Sequence, residues 1–178
     1  MEIRALARSL VLDFEAVPDR TGQFLATEFG VAVGTGCRAF PLRPDPARLP
    51  AQPSWAGHHR SLAAATREGR DPAAVAAWFL RFARGRTLLS DACFVDQPLL
   101  DALLGERAGE VARLTPFFPA VEAAAARIGI GRETINGWIA EIDETRGPAH
   151  HAGEDALVRA RLLTRIAARA REESASSP

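Results

Sequence analysis

Three acidic stations along the chain combine residue types capable of chemistry: Asp13-Phe14-Glu15, Asp96, and the segment from His150 to Asp155. Carboxylate oxygens are the ligands that magnesium and manganese prefer. A pair of such ions, roughly 3.5 to 4 Å apart, clamps the attacking and leaving oxygens of an in-line phosphoryl displacement. The histidine pair His150-His151 adds a base whose pKa lies near working pH and which can take a proton from water. In combination these residues read as a dispersed two-metal site for phosphodiester cleavage. Singly they are commonplace. An Asp-x-Glu pair can end a strand, Asp96 can cap a helix, and Asp155 can be an acid favoured by the helix dipole.

The elements around these residues must bring them together. Ser9–Glu15 is apolar on both faces until the carboxylates appear, the pattern of a buried central strand. Side chains alternate along a strand, so Asp13 and Glu15 share a face. Phe24–Val33 and Cys37–Leu42 flank Gly34-Thr35-Gly36 and predict a hairpin. Five prolines from Pro41 to Pro53 then predict a surface crossing loop.

Asp71-Pro72 reads as a cap followed by proline at the first helical position, with Val75, Trp78, Phe79 and Phe82 at helical spacing behind it. Thr87–Ser90 is a short strand candidate, and Asp96 opens a second helix carrying Leu99, Leu100, Leu103 and Leu104. Val111–Phe118 is expected to hold the last strand, with helices over Val121–Ile128 and Ile135–Ile142. The final helix is expected from Ala152 to about Ala170, with Asp155 in its first turn and Val158, Leu162 and Ile166 facing inward.

A chain of 178 residues with 47% hydrophobic residues suits one core better than two. Residues 1–171 are expected to form one domain and 172–178 a polar tail. The formal net charge is zero, which argues against gripping nucleic acid by bulk electrostatics. Cys37 and Cys93 stand far apart, which supports neither a disulfide scaffold nor a thiolate zinc site, and both are expected to be small buried residues. No run has the length of a membrane span and the N-terminus lacks a secretory pattern, so the default expectation is cytoplasmic.

The chain resembles the DEDDh class of 3′-to-5′ exonucleases, the group that contains the proofreading subunit of bacterial DNA polymerase III, RNase T and oligoribonuclease. The resemblance rests on Leu12-Asp13-Phe14-Glu15, on Phe94-Val95-Asp96-Gln97-Pro98-Leu99-Leu100, and on His150-His151-Ala152-Gly153-Glu154-Asp155-Ala156. It implies a ribonuclease H-like α/β fold, a mixed five-stranded sheet flanked by helices. It implies that Asp13, Glu15 and Asp155 hold one Mg2+ or Mn2+, that Asp13 and the scissile phosphate hold a second, and that Asp96 assists. The family's third motif has a histidine, four residues and then aspartate, so His150 takes the general-base position and His151 is its solvated neighbour. The related class with tyrosine there is excluded, because the chain contains no tyrosine.

The implied activity is release of nucleoside monophosphates from the 3′ ends of single-stranded DNA or RNA, with no membrane partner. The resemblance allows a homodimer or a polymerase or repair partner. Phe14 and Trp55 are the candidate substrate-contacting aromatics. The flanks depart from the family: Ala16-Val17-Pro18 follows the first acidic pair where Thr-Thr-Gly is usual, and Ser90-Asp91-Ala92 stands where an asparagine is usual. Two alternatives remain: a catalytically silent nucleic-acid-binding or protein-interaction module, and a phosphoesterase of short oligonucleotides.

Overall fold

Leu10, Leu12 and Phe14 point to one side of the first strand and Val11, Asp13 and Glu15 to the other, and this alternation decides how the molecule is layered. The computed structural model describes residues 3–49, 62–145 and 151–176. A short helix α1 (Ile3–Leu6) leads into β1 (Leu10–Pro18), followed by β2 (Phe24–Val33) and β3 (Gly36–Pro41). Helices α2 (Leu62–Glu68) and α3 (Pro72–Ala83) precede β4 (Leu88–Ser90), α4 (Cys93–Leu104) and β5 (Thr115–Pro116). Three helices follow among the described residues: α5 (Phe117–Ala126), α6 (Arg132–Glu144) and α7 (Ala152–Ser176).

The five strands form one mixed sheet in the order β3-β2-β1-β4-β5. β1 to β3 run antiparallel as a meander, while β4 and β5 are added parallel to β1. One face carries Leu10, Leu12, Phe14, Phe29 and Val31 against Phe79, Leu80, Leu99 and Leu100 of α3 and α4. The other carries Val11, Ala32 and Leu89 against Phe117, Val121, Ile135, Leu163 and Ile166 of α5, α6 and α7. Burial of apolar surface on both faces accounts for the near-continuous hydrophobic run at the start of β1.

The α3 start is as expected: Asp71 accepts from the Ala73 amide at 3.0 Å ahead of Pro72. Several boundaries differ. β1 continues past Glu15 to Pro18, and the last strand shrinks to two residues. α4 begins three residues before Asp96, so Asp96 lies inside the first turn rather than at the cap. The reason is local. The Ser90 hydroxyl accepts from the Ala92 amide at 2.9 Å, and the Val95 and Asp96 amides donate to the Ala92 carbonyl at 2.8 and 2.9 Å, so the turn starts earlier. The last helix, expected to end near Ala170, runs on to Ser176, with Arg169 paired to Glu172 and Glu173 at 3.3 Å. Cys37 is exposed rather than buried, because β3 is an edge strand. Among the described residues, no helix is long and apolar enough to cross a membrane.

Candidate metal centre

β1 reaches further than its parallel neighbour. β4 pairs with it only at Leu10 and Val11, which leaves the stretch from Asp13 onward open along that side. On the other side the β1–β2 register shifts between Glu15 and Ala16, and Thr27 donates its hydroxyl to the Glu15 carbonyl at 3.1 Å. Such a bulge bends and twists a strand, and here it lies at the acidic end of β1.

The third carboxylate arrives from α7. Gly30, paired with Asp13 across β1 and β2, has no side chain in the way, and a Cβ built there would lie 2.1 Å from the Ala152 carbonyl group. Gly153 is likewise pressed against Ala39 of β3. The two glycines allow the first turn of α7 to lie directly on the sheet. As a result Asp13, Glu15 and Asp155 each offer a carboxylate oxygen within 4.8 Å of the others.

Asp96 comes from the β4–α4 junction and is 1% exposed. It accepts a hydrogen bond from the Ser90 hydroxyl and another from the backbone amide of Phe14. Burial raises its pKa to about 6, helped by the charges of Asp91 and Glu15 and opposed by those two hydrogen bonds. Asp13 is pushed up to about 9, first by burial and then by the neighbouring charges of Asp96, Asp155, Asp91 and Glu15. Like charges this crowded are costly unless protonated or neutralised by a cation. The donor set, all carboxylate oxygen, fits a hard divalent ion.

Phe14 does not offer its ring to the site. The ring is buried against Phe29, with centroids 4.8 Å apart, so Phe14 contributes through its amide alone. His150 and Trp55, the proposed base and stacking aromatic, lie outside the described residues. His151, expected as a solvated neighbour, instead lies with its Nδ1 3.2 Å from Oε1 of Glu28 on β2.

Sequence reasoning passed over Ser90, Glu28 and the Asp91–Arg159 pair, in which the Arg159 Nε donates to Asp91 at 2.8 Å and joins α7 to the β4–α4 junction. Arg159 also lies over the Phe118 ring, 5.4 Å from its centroid. A visible signal existed for Glu28, a lone charge in the middle of the apolar run Phe24–Val33. None existed for the other two.

No protein-family model matches the chain, and no curated protein sequence matches it. Solved structures do. The nuclease domain of 3′hExo, a DEDDh family member, bound to rAMP, is similar with a TM-score of 0.56 at 14% identity, over 88% of this chain and 90% of that one. A chain from the structure of the yeast NOT1 MIF4G domain co-crystallized with CAF1 gives a TM-score of 0.62 at 10% identity, over 95% of this chain and 83% of that one. The chain is thus a structural neighbour of a DEDDh nuclease domain, and at these identities the likeness is one of fold.

Proposed function

We propose that the chain is a metal-dependent 3′-to-5′ exonuclease on a ribonuclease H-like fold, hydrolysing phosphodiester bonds at single-stranded DNA or RNA 3′ ends and releasing nucleoside monophosphates. The observation that carries this reading is the convergence of Asp13, Glu15 and Asp155 within 4.8 Å of one another, from β1 and the first turn of α7. The fold likeness to the 3′hExo nuclease domain supports it.

Asp13, Glu15 and Asp155 would hold the first of two Mg2+ or Mn2+ ions, with Asp13 shared by the second. Bound there, the pair supplies Lewis-acid activation of water and stabilisation of the leaving oxygen. Asp96, gripped by Ser90 and the Phe14 amide, keeps the open side of β1 negative and assists the ion-binding set. His150, five residues before Asp155, would accept the proton of the attacking water.

The test is a panel of 5′-labelled and 3′-labelled single-stranded and duplex DNA and RNA with manganese, and Asp13→Ala as the blank. The expected result is stepwise shortening of single strands from the 3′ end with release of mononucleotides, and loss of nearly all hydrolysis in Asp13→Ala with an unchanged far-UV spectrum. Wild-type turnover by the purified variant overturns the site.

A further inference from the structure

Glu28 is a buried carboxylate that the proposed chemistry does not use. It sits mid-strand in β2, 1% exposed, and is paired in register with Glu15. Two residues along the same strand, Gly30 lies under Ala152, so Glu28 is on the face that meets α7. Burying a carboxylate is costly unless a donor or an opposite charge meets it. Here the imidazole of His151 does so, with Nδ1 3.2 Å from Oε1.

His151 immediately precedes α7, and its own carbonyl accepts the Asp155 amide at 2.9 Å in the first turn of that helix. The chain of contacts therefore runs from β2 through Glu28 to the His151 ring, and from the His151 backbone to Asp155.

The geometry points to Glu28 and His151 as a clasp that fixes the start of α7 on the sheet and thereby holds Asp155 beside Asp13 and Glu15. They are positioning residues. Their effect on hydrolysis rests on the exonuclease reading, whereas their effect on α7 does not. Partners that orient metal-binding carboxylates typically cost roughly 10- to 100-fold in affinity or activity when removed.

The experiment compares Glu28→Ala, His151→Ala, the double variant and Glu28→Gln, reading amide exchange at Asp155, manganese affinity, and kcat and KM on a single-stranded oligonucleotide. Both single alanine variants should speed Asp155 exchange and lower kcat and manganese affinity roughly 10- to 100-fold, with KM near wild type. The double variant should lose less than the sum of the two single losses, because both remove the contact between Glu28 and His151. Glu28→Gln keeps an oxygen facing His151 and should recover most of the loss. If Glu28→Ala does not fold, Glu28→Gln combined with His151→Ala completes the comparison.

Additive losses, or unchanged Asp155 exchange in both single variants, overturn the clasp. If the wild type hydrolyses none of the substrates, the exonuclease reading falls and amide exchange with manganese binding still decides for or against the clasp.

Discussion

The Ser90 hydroxyl donates to the Asp96 carboxylate while accepting from the Ala92 amide, so one side chain both starts α4 and holds the acid inside it. Ser90 is fully buried and Asp96 nearly so. Ser90→Ala should therefore cost about 1–3 kcal/mol, the loss expected when a buried charged group gives up a hydrogen bond. That bond also lowers the Asp96 pKa, now about 6, so in the cation-free protein its removal should extend the loss of stability with rising pH to higher pH. Urea unfolding with EDTA at a series of pH values checks both; a variant unchanged in both refutes the dual role of Ser90.

Asp13 governs the second prediction. Its pKa is about 9 in the folded protein against an ordinary 3.8, so the fold retains a proton that the unfolded chain releases. Stability of the cation-free protein should then decline as pH rises from about 4 to about 9, with Asp96 contributing up to about 6. Ion binding displaces protons, so manganese should raise Tm more near pH 8 than near pH 5. Asp13→Asn should raise the cation-free Tm near pH 8, by a few degrees, and abolish the manganese increment. Calorimetry with EDTA or manganese measures both, and a full manganese increment in Asp13→Asn argues against a shared ion at this residue.

Local rules made part of this legible. The period of two along β1 put Asp13 and Glu15 on one face, and Asp71-Pro72 marked the α3 start, because each depends on neighbours in sequence. The mixed five-stranded sheet came from the resemblance to a known family rather than from periodicity. Partnerships set by tertiary contact stayed hidden. Glu28 and His151 are 123 residues apart, and nothing near either names the other. β5 is two residues long, and only pairing with β4 makes it a strand. The start of α4 was misplaced because Asp96 looks like a cap, whereas Ser90 is the residue that begins the turn.

Gly30 provides the last prediction, because its missing side chain is what allows α7 to lie on β2. A methyl group there would meet the Ala152 carbonyl carbon and oxygen at 2.1 Å and the Gly153 nitrogen at 2.5 Å. All three are backbone atoms, so no rotamer change can relieve the clash, and the first turn of α7 must shift. Gly30→Ala should cost about 3 kcal/mol, at the upper end for overpacking. Any folded fraction should bind manganese more weakly, since Asp155 moves with that turn. Gly109→Ala is the control: nothing lies within 4 Å of the added carbon, so its effect should stay within about 0.5 kcal/mol. Urea unfolding of the two variants side by side is decisive, because equal stability would mean that α7 does not rest on Gly30 and that Asp155 reaches β1 by some other route.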